Sequence, residues 1–323
     1  MSNPNSIAVL TSGGDAPGMN AAVRAVVRTA IFKGMDVYGV QRGYNGLITG
    51  EVVKMDLRSV SDIIHRGGTV LYTARSPKFR TAEGVQQAAD YCRELGIKGV
   101  VVIGGDGSYR GARDLTHAGI PCVGLPGTID NDISSTDYTI GFDTAMNTAM
   151  HMVDNIRDTS QSHDRCSVVE VMGRNAGYLA LHTGIACGAT AVLVPEIPCD
   201  IDKDVIPKIT RTQGTGKKNF IIVVAEGVGG TENIARHIQE MTGIDTRATI
   251  LGHVQRGGSP TVRDRVIATQ MGYHAVELLE QGIGNRVVGI KEDKVVDFDI
   301  DEALEMHKDF EFELYKIADV VSI

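Results

Sequence analysis

In GVVVIGGDGSYRGARDL (99–115) an apolar run stops at Gly104-Gly105-Asp106-Gly107-Ser108, and a helical pattern starts directly after it. Glycines at a strand end bare backbone N–H groups, and a helix beginning there adds the positive end of its dipole, so the turn suits a phosphate. LTSGGDAPGMN (10–20) repeats the arrangement, with Gly14 in its middle. A carboxylate inside such a cradle repels phosphate unless a cation lies between them. Asp106 therefore calls for Mg2+, with Asp106 as its ligand. Two ordinary tight strand-to-helix turns would use the same glycines, and only Asp106 separates the readings. No G-x-x-x-x-G-K-[ST] occurs, and Gly105, Gly107 and Gly111 miss the dinucleotide spacing.

PGTIDNDI (126–133) also closes an apolar run. If the segment is extended, Asp130 and Asp132 project to one side, one able to take a proton while the other orients it. For an isolated D-N-D an Asx-rich turn is the better account. Arg24 and Arg28 sit four apart on a helical pattern, like charges on one face, which a bound anion would turn from a cost into a gain. Arg157, Lys217 and Lys218 could join them. Arg75, Arg165, Arg174, Arg247 and Arg256 stand in loop-like contexts beside Gly, His or Ser, as discrete phosphate sites require. His253, in LGHVQRGGSP, is the histidine best placed to serve a ligand. No Ser-His-Asp order, H-E-x-x-H or Cys/His metal cluster is present.

Elements must hold these residues. Strand patterns at 7–11, 37–41, 99–103, 120–126, 165–173, 190–196 and 219–227 alternate with helical ones at 20–32, 59–66, 82–95, 143–158 and 263–281. Apolar strands alternating with helices predict an α/β fold with parallel sheets, in which ligands sit outside the carboxyl ends of the strands. With 323 residues the chain is long enough for two domains. Its 38 glycines are roughly 12% of the chain against a usual ~7%, with no repeat period, so they belong to loops that approach ligands. A net charge of −8 with no basic stripe argues against nucleic acid. Five scattered cysteines read as reduced thiols, and the N-terminal residues lack a leader pattern or any run long enough for a membrane. Together these predict a cytoplasmic protein.

LTSGGDAPGMNAAVR, GGDGS, PGTIDND, YTIGFDTAMNT, VMGRNAG, VAEG and LGHVQRGGSP, in that order, resemble the bacterial ATP-dependent 6-phosphofructokinase family (type A). The resemblance runs from residue 6 to the C-terminal helices. It implies two Rossmann-like αβα domains, one for ATP (1–140 and about 253–303) and one for fructose 6-phosphate (141–252 and about 304–323). It also implies transfer of the γ-phosphoryl of MgATP to the sugar's 1-hydroxyl. ATP would lie on Gly14, Arg75, Ser76 and Gly105, Asp106, Gly107 and Ser108, with Asp130 as the base and Thr128, Ile129 and Asp132 beside it. Arg75 and Arg174 would stabilise the transition state. Met172, Gly173, Glu226, Val254 and Gln255 would line the sugar, and Arg165, Arg247, His253 and Arg256 would hold its 6-phosphate. Arg165 and Arg247 would come from a neighbouring subunit of a homotetramer. Family members that use pyrophosphate tend to carry Asp in place of Gly107 and Lys in place of Gly127, so both glycines point to ATP. The turn is also similar to that of NAD and lipid kinases, which the MGR and HVQRGG loops disfavour. Arg24, Arg28, Arg157, Lys217 and Lys218 match the family's site for ADP or phosphoenolpyruvate. Thr190 replaces a glutamate there and Thr215 a basic residue, so a weakened or altered effector response is expected.

Overall fold

A run such as VVVIG has no polar side to turn outward, so it can only be a strand covered on both faces. In the computed structural model, which describes residues 6–322, eleven strands form among the described residues. The first half contains β1 (Ser6–Thr11), α1 (Met19–Phe32), β2 (Asp36–Val40), α2 (Tyr44–Thr49), β3 (Val52–Met55), α3 (Ala82–Glu94), β4 (Ile97–Gly104), α4 (Asp106–His117), β5 (Cys122–Pro126) and α5 (Phe142–Ser162). There follow β6 (Cys166–Val171), α6 (Tyr178–Ala186), β7 (Ala191–Leu193), α7 (Ile206–Gly214), β8 (Phe220–Ala225), α8 (Thr231–Thr242) and β9 (Thr246–Ile250). The chain closes with α9 (Val262–Glu280), β10 (Arg286–Lys291), β11 (Lys294–Asp299), α10 (Ile300–Glu305) and α11 (Phe312–Val321).

The chain divides into two compact units, each an α/β layer structure. The first takes the chain up to Ile129, with Ile133–Thr144 and Arg256–Lys308. Its seven strands run in the order β11-β10-β5-β4-β1-β2-β3, parallel except for the edge pairs β10–β11 and β2–β3. Ala8, Leu10, Val100 and Val102 face α2, α3, α4 and α10, while the alternate residues Ile7, Val9, Val101 and Ile103 are buried on the other face, which α1 and α9 cover. The second unit takes Asp130–Asp132, Ala145–Gln255 and the chain from Asp309. Its four parallel strands run β7-β8-β6-β9, with Val168, Ile222 and Val224 packed against α7 and α8. All five cysteines are free thiols. No helix among the described residues is long and apolar enough to cross a membrane.

Two local expectations fail. Residues 59–66 form turns and no helix. The Asp56 carboxylate accepts the N–H groups of Arg58 and Ser59, and Asp62 is left-handed (φ 54°), which breaks a helical run. The 190–196 strand shortens to β7 because Pro195 has no N–H for the ladder. The edge strands β3 and β11, neither of them buried along its length, escape the pattern reading, and so does β10, which lies between β11 and β5.

Candidate active site

In the first unit, β1 and β4 are parallel neighbours with Thr11 beside Ile103, so their terminal loops emerge side by side. The loops are stitched together: Ser12 N–H donates to Ile103 O (2.9 Å), and Ser108 Oγ donates to Ser12 O (3.1 Å). A Cβ on Gly104 would collide with both Ser108 and Ser12 O, so that glycine is set by packing. Gly107 is different. It is exposed in the first turn of α4, its φ is ordinary, and a Cβ there would meet nothing within 4 Å. Nothing in the packing of the described residues requires glycine at 107. Gly127, by contrast, has a packing reason, since a Cβ would press on Ile103 (2.9 Å) and Met19 (3.0 Å).

Asp106 opens α4 half-exposed, and no side chain caps this helix. The described residues hold no group of three or more metal-ligating side chains. The single half-exposed Asp106 fits Mg2+, which binds one or two carboxylates and completes its shell with substrate phosphate and water. Ser108 is buried, so its hydroxyl positions the two loops instead of facing out. Thr73 ties down Gly13 through its carbonyl (2.7 Å). Arg75 is exposed, and Ser76 Oγ accepts from Phe79 N–H. Phe79 stacks on Tyr44 at 4.0 Å, and Tyr44 OH donates to Ser108 O (2.5 Å), so the 75–79 loop and α4 share one support. Arg256 donates to Asp15 O (3.1 Å), and a Cβ on Gly14 would run into its guanidinium, with Cζ at 3.0 Å. Arg256 thus stands over the first glycine loop. Thr128 and Ile129 are buried at the end of β5.

In the second unit, Asp130 is 6% exposed and Asp132 half-buried. The segment is not extended: it bends at 129–130, and Asn131 between the acids is left-handed (φ 52°). The extended backbone on which the same-side reading of the two carboxylates is conditional is therefore absent. β6 and β8 pair with Val171 beside Ala225, which brings the MGR and AEG turns together. Glu226 N–H donates to Val171 O (2.9 Å), and Glu226 Oε1 accepts Arg174 N–H (2.6 Å). Gly173 has φ 133°, and any Cβ there would strike Ala176 O, so this turn tolerates only glycine. Arg174 points outward from a left-handed backbone (φ 59°). Gln255 is fully buried, accepting from Met172 N–H (3.4 Å) and donating to Gly252 O (3.0 Å), so it braces the turn. His253 and Val254 are exposed beside it.

Arg165 and Arg247 lie elsewhere. Both grip Asp245, at 2.6 Å and 3.0 Å, and Arg165 holds that carboxyl below its ordinary value. They sit where β6 and β9 begin, while Met172 and Arg174 follow where β6 ends. Six residues at about 3.3 Å each put roughly 20 Å between the two groups. One chain does not unite them.

Of the remaining cations, Arg24 and Arg28 share α1. Burial first, and then the Arg28 charge, lower the Arg24 value, and Arg28 Nε is buried without a hydrogen-bond partner. In the other unit, burial and then Arg157 lower Lys217, while Lys218 makes a surface pair with Asp164 (3.6 Å). Thr190 is 1% exposed with an unpartnered hydroxyl, and Thr215 donates to Thr212 O. Asp245, Tyr44 and Thr73 were not singled out from sequence, since only tertiary contacts give them roles.

Residues 6–279 match the sequence profile of the phosphofructokinase family. The ATP-dependent 6-phosphofructokinase of Clostridium botulinum (strain Hall) is 58% identical over 316 residues, covering 98% of this chain and 99% of that relative. The solved phosphofructokinase of Saccharomyces cerevisiae superposes with a TM-score of 0.88 at 40% identity, over 93% of this chain and 45% of the yeast one. This chain thus spans less than half of the yeast polypeptide. A pyrophosphate-dependent phosphofructokinase from Marinobacter aquaeolei, 21% identical, shares the fold with a TM-score of 0.85, over 96% of this chain and 86% of that one.

Proposed function

The chain belongs to the phosphofructokinase family, and we propose that its two units divide one reaction between them, the first holding the nucleotide and the second the sugar. It is an ATP-dependent 6-phosphofructokinase activity: the γ-phosphoryl of ATP passes to the 1-hydroxyl of D-fructose 6-phosphate, giving fructose 1,6-bisphosphate and ADP, the committed step of glycolysis. Phosphoryl transfer needs positioning and charge neutralisation more than covalent help. The observation that carries the nucleotide assignment is Gly107, bare in the first turn of α4 with open space where a side chain would stand.

The triphosphate lies along Gly14, Gly105, Asp106 and Gly107, with Arg75 and Ser76 flanking it. Asp106 would hold Mg2+, which would supply screening of the triphosphate charge. Asp130 accepts the proton of the 1-hydroxyl as its oxygen bonds to the γ-phosphorus and the bond to the bridging oxygen of ADP breaks. Thr128, Ile129 and Asp132 shape that position. Arg75 and Arg174 offset the charge that builds on the transferring group. Met172, Gly173, Glu226, Val254 and the bracing Gln255 enclose the sugar, and His253 and Arg256 take its 6-phosphate.

Arg165 and Arg247 serve a second copy's sugar site, because they lie at the opposite ends of their strands from Arg174. The family resemblance extends this to a homotetramer, and the composition to a cytoplasmic one. Arg24, Arg28, Arg157, Lys217 and Lys218 form the basis of an anion site for ADP or phosphoenolpyruvate. Thr190 supplies no carboxylate for a nucleotide's metal there, so metal-bound ADP binds weakly.

A coupled assay of ADP release with fructose 6-phosphate and MgATP, run beside a pyrophosphate control, tests the reading. Asp130→Ala should lower kcat at least ~10²-fold with KM values near those of the wild type. Turnover with pyrophosphate equal to that with ATP, or an unimpaired Asp130→Ala, would overturn the assignment.

A further inference from the structure

No residue of the stretch YTIGFDT has been assigned to either substrate, yet it touches both kinds of loop in the first unit. Ile140 forms an isolated parallel bridge with Gly127: Ile140 N–H donates to Pro126 O (2.8 Å), and Thr128 N–H donates to Ile140 O (3.2 Å). It thereby fixes the backbone that leads into Asp130. On its other side, Gly141 (φ 105°) lies so close to the first glycine loop that a Cβ would sit 2.7 Å from Ala16 Cβ and 3.2 Å from Pro17 O. Gly18 in turn allows the approach of Ile140 and Asp264.

Asp264, in the first turn of α9, holds this segment. Its side chain is wholly buried. Oδ1 accepts Gly141 N–H (2.8 Å), while Oδ2 accepts both Thr144 N–H (2.9 Å) and Thr144 Oγ1 (2.5 Å). Thr144 Oγ1 also accepts Thr261 N–H (3.0 Å), and Thr261 caps α9 by accepting Asp264 N–H (3.3 Å). Burial pushes the carboxyl up to about 6 against these hydrogen bonds, the Asp143 charge adds to the rise, and no basic side chain among the described residues forms an ion pair with it. A buried charge kept without a counter-ion is costly for stability alone, since a neutral side chain of the same shape would pack there more cheaply. What only a carboxylate supplies is acceptance of all three donors at once.

We propose that Asp264 is a positioning residue for phosphoryl transfer: through Gly141 and Thr144 it sets the placement of the 13–18 loop against the Gly127–Ile129 backbone. The inference rests on the nucleotide and base assignments made above. Misplacement of reacting groups by about 1 Å can lower a rate ~10²-fold without changing any contact to substrate.

The test uses the full-length enzyme with Asp264→Asn, Thr144→Val and Thr144→Ser, and Asp130→Ala as a reference. Steady-state kcat and both KM values are measured with thermal melting and native mass. An amide accepts at one atom only and turns an N–H toward either Gly141 or Thr144. Asp264→Asn should therefore lower kcat at least ~10-fold with both KM values within about twofold. Thr144→Val should lower kcat in the same way, and Thr144→Ser, which keeps the hydroxyl, should restore it. A folded Asp264→Asn with unchanged kcat would overturn the proposal, and so would a Thr144→Ser as impaired as Thr144→Val. Should Asp264→Asn fail to fold, the Thr144 pair decides alone. Loss in Asp130→Ala with none in Asp264→Asn sinks only this proposal, whereas an active Asp130→Ala sinks the reading beneath it.

Discussion

Gly107→Asp separates the demands of the fold from those of the ligand. The residue is exposed, lies in the first turn of α4, and, its chain neighbours and the nearby α4 backbone aside, has no heavy atom among the described residues within 4 Å of the point where a Cβ would stand. A carboxylate there gains about 0.3–1 kcal/mol from the helix dipole, offset in part by neighbouring Asp106, so the melting temperature should hold or rise slightly. Against a triphosphate the same charge acts oppositely. Two unit charges about 4 Å apart at an effective dielectric of about 20 repel by about 4 kcal/mol, close to 10³-fold in an equilibrium constant. Mg2+ on Asp106 would screen part of this, so kcat/KM for ATP should fall ~10²- to 10³-fold. The assay is coupled ADP release across an ATP titration at saturating fructose 6-phosphate, with a melting curve beside it and Gly107→Ala as the uncharged control. A Gly107→Asp enzyme keeping kcat/KM for ATP within about threefold would show that the triphosphate does not lie on this turn. A melting temperature several degrees lower would show that the position is not free in the fold.

Gly14→Ala should fold, because its Cβ meets only the flexible end of Arg256, but displacing that guanidinium should raise the KM for fructose 6-phosphate; an unchanged KM would detach Arg256 from the sugar phosphate. The Asp264 carboxyl titrates near 6 when folded and at 3.8 in an unperturbed chain, so the folded form holds the proton more tightly. Its stabilising effect is present at low pH and is lost as pH rises through 6, and the wild type should lose about 1–2 kcal/mol relative to Asp264→Asn between pH 5 and 7.5 in urea unfolding. A difference that does not vary with pH would refute the shift. Activity titrations with MgADP and with phosphoenolpyruvate should show weak or absent activation by ADP, and full-strength activation would contradict the role given to Thr190.

The chemistry at strand ends was legible because it is local. In IGGDGS the strand, the bare turn, the carboxylate and the helix start are consecutive, and β4 and α4 form where the pattern puts them. The β-α alternation was legible for the same reason, since period and burial are properties of short segments. The 59–66 helix failed because one side chain, Asp56, offers its backbone neighbours a competing hydrogen bond, which periodicity does not register. At D-N-D the turn alternative fits the backbone better than the extended one, with Asn131 left-handed.

The inventory is written in the chain itself: two glycine turns, an acid in one of them, a pair of acids after β5, and loops rich in arginine. Which of these become neighbours is a matter of folding. Gly107 could be told apart from Gly104 and Gly127 only by the space around each. Arg165 and Arg247 lie a full strand length from Arg174, a fact of sheet register. Asp264 reaches Gly141 across 123 residues, and a carboxylate on one helix carries no mark of the distant N–H groups it will accept. Local hydrogen bonding and periodicity are set within a few residues, whereas packing is a property of pairs that only the folded chain brings together.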